Sequence, residues 1–259
     1  EEQTIASDQD NGLIVADEFA SSIDALLVFA QAVNQALDAC GYPLCKGGIM
    51  AGNPKWCLSL SQWKALFDGW IERGDPQSLL NANIFFDFRA LAGDSSLAHA
   101  LRDHVTPRAA AVPRFLKQMS DNALRNGPPQ SWTAGVLETL FSREAAVVDL
   151  KLNGTVPFVD AARLLALANG IRATGTVERF ETLATMGVVP AAEVRGWVDS
   201  FQFFQSLRLR AQHMGEPGAE GNPNALDTRT LSGLDRRILK EAFREARRLQ
   251  QRLALDYPG

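Results

Sequence analysis

The densest polar group in the sequence is Ser7-Asp8-Gln9-Asp10, close to its start. If this segment is extended, Asp8 and Asp10 point to the same side, about 6.5 Å apart along the chain. Two carboxylates on one face repel each other unless a cation lies between them. The pair is therefore a candidate site for Mg²⁺ or Mn²⁺, with a nucleotide phosphate as the shared ligand.

Two other interpretations of these residues stay open. All six residues of the stretch SDQDNG are turn formers, so a solvated turn has the same composition. A calcium-binding loop is the third possibility. It fits less well, because Gly12 comes one place early for that pattern and the glutamate ligand at its twelfth position is missing.

A second candidate, Asp87, lies in the middle of an apolar run (IFFDF, residues 84–88), and Arg89 follows it. A carboxylate in such a run needs a partner or a metal ion. We predict a strand over residues 82–91, in which Asp87 either pairs with Arg89 or supplies a third metal carboxylate while Arg89 contacts phosphate. The Lys46-Gly47-Gly48 sequence either approaches a phosphate with its backbone or is an ordinary loop.

The first part of the chain mixes strands and helices. A β-branched run at residues 13–16 predicts a buried strand, and helical periodicity predicts helices over 22–39 and 58–71. A loop rich in glycine and proline, residues 41–54, separates the two helices, and Asp75-Pro76 predicts a short helical turn.

The second part is predicted to be helical almost throughout. The predicted helices lie near residues 95–126, 132–149, 156–170, 176–187, 190–214 and 231–254, with a flexible loop at 215–224. We therefore expect an α+β protein, with a small mixed-sheet lobe over residues 1–93 and an all-helical bundle domain over 94–259.

Composition excludes several classes of partner. The net charge is −4, so no global positive field is available to hold nucleic acid. The last helix has a basic face, but no aromatic residues alternate with its charges, so we do not expect a nucleic-acid partner. No apolar stretch approaches the length of a membrane span, and the three cysteines are typical of reduced thiols. These features predict a soluble cytoplasmic protein without a membrane partner.

The motifs, taken in their order along the chain, resemble those of a known protein superfamily. The Asp8-x-Asp10 pair before a short apolar strand, followed by the apolar run around Asp87, resembles the three-carboxylate signature of the DNA polymerase beta-like nucleotidyltransferase superfamily. More closely, three blocks resemble a bacterial nucleotidyltransferase family: EQTIASDQDNGLI (2–14), GYPLCKGGIMAGNPKW (41–56) and NANIFFDFRAL (81–91). That family is similar to the adenylyl- and uridylyltransferases that modify nitrogen-regulation proteins. The resemblance continues through residues 149–171 and the final helix.

The resemblance implies transfer of a nucleoside monophosphate from a nucleoside triphosphate to an acceptor, either a protein side chain or a small molecule. It makes three carboxylates the catalytic and metal-binding groups: Asp8, Asp10 and Asp87. Further residues are implied as nucleotide or substrate contacts: Ser7, Lys46, Gly47, Gly48, Arg89, Lys151 and Arg163. For Lys151 and Arg163, ordinary ion pairs within the bundle are an equal alternative.

The resemblance also bears on the parent chain. The family often accompanies CBS or cyclic-nucleotide-binding domains, so we expect such regulatory domains in the parent chain and a role in signal transduction. The superfamily places a Gly-Ser motif just before the Asp-x-Asp pair, which implies a stretch of this kind upstream of Glu1. The alternative function is a non-catalytic nucleotide-sensing or protein-interaction module.

Overall fold

The computed structural model of the chain describes residues 2–129, 132, 147–214 and 221–258. They form two compact units, one made of Ala6–Val112 and the other of Glu1–Ile5 together with Pro113–Gly259. Most of the helix predicted over 132–149 and of the loop predicted over 215–224 lies outside the described residues. No described helix is long and apolar enough to cross a membrane.

The first unit has helices around one pair of short strands. β1 (Leu13–Val15) and β2 (Cys57–Ser59) run parallel, with Leu13 opposite Cys57 and Val15 opposite Ser59. The helices are α1 (Ile23–Ala39), α2 (Leu60–Arg73), α3 (Pro76–Phe85) and α4 (Ser95–Ala110). Short 3-10 helices cover Asp17–Ser22 and Pro54–Trp56. Prediction from the sequence was therefore correct for β1, α1 and α2.

The bounds of α2 follow from local side-chain chemistry. The Ser59 hydroxyl accepts a hydrogen bond from the Gln62 amide, and the Gln62 side chain accepts one from the Ser59 amide. This reciprocal cap satisfies two backbone N–H groups that would otherwise have no helical partner. The helix ends at Gly74, whose φ of 62° is the left-handed conformation that glycine adopts without strain.

The strand predicted over 82–91 is wrong. Asp75 caps α3 by accepting a hydrogen bond from the Ser78 amide at 3.0 Å, and the helix then continues to Phe85. Arg102 of α4 donates hydrogen bonds to the carbonyls of Phe86 and Phe88, and its guanidinium lies 4.0 Å from the centre of the Phe88 ring. These contacts hold the segment as a turn, although its residue types favour a strand.

The same contacts place α4 in the first unit, whereas the sequence predicts a domain change between residues 93 and 94. The observed units divide between Val112 and Pro113. The long helix predicted over 95–126 is broken there, into α4 and α5 (Pro113–Ala123). A proline disfavours helical conformation in the residue before it, so a helix usually stops at that point.

Aromatic side chains form the core of the first unit. The Trp56 and Trp63 rings stack at 6.1 Å, and the Phe85 ring lies 4.5 Å and 5.2 Å from them. Both indoles also donate hydrogen bonds to the backbone, Trp63 to the Leu13 carbonyl at 2.9 Å and Trp56 to the Gly48 carbonyl at 3.0 Å. The core therefore fixes β1 and the loop at Gly48 directly.

The second unit is a helical bundle with a short antiparallel pair, β3 (Val147–Asp149) and β4 (Ala225–Asp227). The second half is thus not all-helical, since Val147–Asp149 is a strand where the sequence predicts the end of a helix. A π-helix, Leu150–Thr155, follows β3. The remaining helices are α6 (Val156–Ala168), α7 (Thr176–Thr185), α8 (Ala191–Met214) and α9 (Gly233–Asp256).

The bundle is packed around α6, in which nine of the thirteen residues are buried and none is exposed. Phe204 of α8 contacts Phe158 of α6 and Phe243 of α9, with ring centres 6.2 Å and 5.0 Å apart. Gly154 of the π-helix lies directly against Phe204, because a Cβ atom at position 154 would be only 2.5 Å from the Phe204 Cδ1 atom.

We therefore expect Gly154→Ala to lower the free energy of unfolding by about 1–3 kcal/mol, since a fully buried ring must move to make room for the methyl group. Gly233→Ala is the matched control, because a Cβ atom at the start of α9 meets open space. It should leave the melting temperature unchanged or slightly raised. Equal melting temperatures for the two variants would contradict the close packing at Gly154.

Candidate functional site

The segment that carries Asp8 and Asp10 is extended. The backbone amides of Gln9 and Asn11 donate hydrogen bonds to the Pro43 carbonyl at 3.0 Å and the Ile49 carbonyl at 3.1 Å. Gln9 is only 4% exposed, whereas Asp8 and Asp10 are both exposed. Since side chains alternate along an extended segment, the two carboxylates share the side opposite Gln9. The backbone of the segment hydrogen-bonds to distant loop residues, whereas a solvated turn would hydrogen-bond within itself.

A network of neutral amides holds this segment. The Gln9 side chain donates hydrogen bonds to the carbonyls of Asn34 (2.9 Å) and Tyr42 (2.8 Å), and it accepts one from the Asn34 side chain at 2.8 Å. The Asn34 side chain also donates to the Asn11 side chain at 3.0 Å and accepts from the Gly52 amide at 2.8 Å. The network therefore joins the Asp-x-Asp segment to α1 and to the loop that precedes β2.

The second part of the site is a turn at Cys45–Gly48. The Gly48 amide donates to the Cys45 carbonyl at 3.0 Å, and Gly48 has a φ of 68°, in the left-handed region. The Asp10 carboxylate interacts with the Cys45 thiol; burial, and to a smaller extent Asp10, raise the pKa of that thiol above its ordinary value. This contact brings the turn that carries Lys46 and Gly47 next to Asp10.

Asp87 and Arg89 lie in the turn after α3 and not on a strand beside β1. Asp87 is half-buried and Arg89 is exposed. Within the described ranges, no group of three or more His, Cys, Asp or Glu side chains is arranged to hold a metal ion. Asp8, Asp10 and Asp87 thus do not form such a group, and Asp8 and Asp10 stand as a pair.

Lys151 and Arg163 belong to the second unit. Lys151 is exposed on the π-helix, whose first amides are capped by the Asp149 carboxylate at 2.8 Å. Arg163 is 5% exposed and donates to the Asp160 carboxylate at 2.8 Å, three residues earlier in α6. For Arg163 the structure therefore shows an ion pair within the bundle, which is the alternative that the sequence leaves open.

Two family models match the chain. Residues 113–257, more than half of it, match the family described as "Putative nucleotidyltransferase substrate binding domain", and residues 1–77 match "Putative nucleotidyltransferase DUF294". The chain belongs to this nucleotidyltransferase family. Comparison with curated proteins gives no match, and comparison with solved structures gives none.

The matched ranges divide the candidate residues into three groups. The first range contains Ser7, the two aspartates and the turn at Cys45–Gly48. Asp87 and Arg89 lie between the two ranges, and Lys151 and Arg163 lie in the second.

Sequence reasoning missed the amides that position the site, Gln9, Asn11 and Asn34. Two signals pointed to them. Gln9 is the residue between two aspartates that face outward, so it must face inward. Asn34 is a polar residue four positions after the buried Ala30, on the same face of α1.

We expect Asn34→Ala to lower the free energy of unfolding by about 1–3 kcal/mol, because the Gln9 side chain would lose a buried hydrogen bond and the Gly52 amide a half-buried one. Gln31→Ala, one turn earlier on α1, is the matched control, because Gln31 is exposed and makes one hydrogen bond of 3.3 Å to the Gly52 carbonyl. It should change stability by less than about 0.5 kcal/mol. Urea titrations of both variants measure the difference, and an Asn34→Ala protein as stable as wild type would refute the role of the network.

Proposed function

We propose that the chain is a metal-dependent nucleotidyltransferase that moves a nucleoside monophosphate from a nucleoside triphosphate to a protein or small-molecule acceptor in signal transduction. One observation carries the proposal. Asp8 and Asp10 are exposed on one side of a segment that the buried Gln9 side chain holds in place, within a range that matches a nucleotidyltransferase family.

The two carboxylates suit a divalent cation. Mg²⁺ is commonly bound by one or two protein carboxylates, with substrate phosphates and water completing its ligands. Asp8 and Asp10 would hold Mg²⁺ or Mn²⁺ in this way. When bound, such an ion offsets the charge of the phosphates and polarises the phosphoryl group that is attacked.

The chain's own part in the reaction is to bind and to orient the nucleotide. The Lys46 ammonium group and the backbone of Gly47 and Gly48 would contact its phosphates from the turn beside Asp10, and the Ser7 hydroxyl group would do so from the other end of the segment. Fixed groups of this kind lower the barrier because they need no rearrangement during the reaction. We propose a similar contact for the exposed Arg89 of the same unit, but none for Arg163, since Asp160 already pairs with it. The role of Lys151 stays a prediction from the family resemblance.

The first test is nucleotide binding by the full chain. With Mg²⁺, ATP or CTP at 100 times its dissociation constant should stabilise wild type by about 2.7 kcal/mol, a rise of about 5–10 °C in melting temperature. Asp8→Asn and Asp10→Asn should lose most of this rise. Without metal they should be as stable as wild type or slightly more so, because one of two repelling charges is gone.

Asp24→Asn is the matched control, since Asp24 is an exposed carboxylate on α1 that belongs to no part of the site. It should keep the full rise. If Asp8→Asn and Asp10→Asn also kept it, the metal assignment would be wrong. Release of pyrophosphate with an acceptor would then separate an enzyme from a nucleotide sensor, because a sensor binds the nucleotide without turnover.

The third carboxylate, Asp87, stays a prediction that rests on the family resemblance. If Asp87 joins Asp8 and Asp10 when the metal–nucleotide complex binds, Asp87→Asn should remove most of the rise in melting temperature. If Asp87 only stabilises the turn after α3, the variant should melt lower than wild type without metal and yet show the whole rise. Differential scanning calorimetry with and without Mg²⁺ and nucleotide distinguishes the two results.

A further inference from the structure

Arg208 of α8 is a buried cation whose hydrogen-bond partners, among the residues that the structure describes, are all neutral. It is 5% exposed, and it donates hydrogen bonds to the Asn224 side chain at 3.1 Å and the Gln205 side chain at 2.9 Å, both of them neutral amides. It forms no ion pair with any described residue. Arg163, equally buried, pairs with Asp160 at 2.8 Å. Burial of a guanidinium without a directly paired counter-charge costs free energy, so an anionic ligand at Arg208 would lower that cost.

Two carboxylates, Asp149 and Glu2, act on Arg208 through their charge but form no direct ion pair with it. Asp149 interacts with Arg208 through its charge, but its oxygens accept hydrogen bonds from the amides of Lys151 and Leu152 and from the Asn222 side chain at 2.7–2.8 Å. Burial lowers the pKa of Arg208, and Asp149 and Glu2 offset this only in part. The charge of the guanidinium is therefore only partly compensated.

A segment close to the start of the sequence, residues 2–4, contacts the guanidinium. Arg208 Nη2 reaches the Thr4 hydroxyl at 3.5 Å, the outer limit of a hydrogen bond. Two residues earlier, the Glu2 carboxylate accepts a hydrogen bond from the Thr176 amide at 2.9 Å. Glu2 and Thr4 can be at most about 7 Å apart along the chain, so Arg208 and Thr176 lie at the two ends of one short segment.

The first turn of α7 offers further donors at this point. Thr176 is its first residue, and the preceding Gly175 has no side chain to cap the helix, so a carboxylate from elsewhere takes that place. The Thr176 side chain is 1% exposed, and its hydroxyl oxygen has no hydrogen-bond partner among the described residues. A guanidinium, a helix N-terminus and an unused hydroxyl group together favour an anionic oxygen ligand.

We propose that Arg208 and the first turn of α7 form a carboxylate-binding site, which the chain's own Glu2 fills in this structure and which an acidic group of the acceptor takes in its place. The site lies in the range that matches a substrate-binding family. The identification of its ligand as the acceptor rests on the proposed function, whereas the binding of a carboxylate does not. Because Glu2 is tethered, an outside carboxylate must compete with a high effective concentration.

The variant Glu2→Gln, made in the full chain, tests whether an added carboxylate can take the place of the Glu2 carboxylate. In buffer without carboxylates this variant should melt about 2–4 °C below wild type, because the charge at the start of α7 is lost. Glutarate should restore the melting temperature of the variant, at concentrations that leave wild type nearly unchanged. Glu181→Gln, an exposed carboxylate on the same helix, should show neither effect.

Variants of Arg208 test whether the recovery of the melting temperature depends on binding of glutarate at the proposed site. In Glu2→Gln/Arg208→Gln, glutarate should restore nothing. If the double variant does not fold, Glu2→Gln/Arg208→Lys keeps the charge but loses the guanidinium fork, and its affinity for glutarate should fall at least fivefold. Equal recovery with and without Arg208, or equal recovery in sodium chloride of the same ionic strength, would overturn the proposal. A recovery with phosphate but not with glutarate would also overturn it.

These measurements contain no nucleotide, so they succeed or fail independently of the proposed function. Recovery with glutarate in a protein that binds no metal–nucleotide complex would keep the carboxylate site and remove the nucleotidyltransferase proposal. Nucleotide binding that depends on Asp8 and Asp10, without any effect of glutarate, would do the reverse.

Discussion

The candidate site depends on two hydrogen bonds that join Gln9 to Asn34: the Asn34 side chain donates to the Gln9 side chain, and the Gln9 side chain donates to the Asn34 carbonyl. Each amide both donates and accepts, so neither leaves a buried polar atom without a partner, and the geometry allows little freedom. Because Gln9 faces inward, its two neighbours must face outward. The buried pair therefore determines where the Asp8 and Asp10 carboxylates lie.

The same local structure depends on the aromatic core. Trp63 donates a hydrogen bond to the backbone of β1, and Trp56 donates one to the turn that carries Lys46. Gly12 lies so close to Trp63 that a Cβ atom there would be 2.9 Å from the ring. A change in the core would consequently move the Asp-x-Asp segment and the turn together, so stability and site geometry are coupled in this unit.

The sequence predicts those parts of the structure that local pattern controls. Helical periodicity and end signals identify α1 and α2, and alternation places Asp8 and Asp10 on one side. The turn at Asp87 could not be predicted in this way, because Arg102, fourteen or more residues further on, holds it. β2, β3 and β4 have three residues each, too few for a period. The environment of Arg208 depends on partners as distant as Thr4.

Both units use neutral amides to position a charge. Gln9, Asn11 and Asn34 hold the segment between two carboxylates, while Gln205 and Asn224 hold the guanidinium of Arg208. An ion pair would fix these groups equally well, as Asp160 fixes Arg163, but it would also cancel their charge. A neutral support leaves the charge available to a ligand of opposite sign. This difference in support distinguishes the proposed binding groups from the charges that only stabilise the fold.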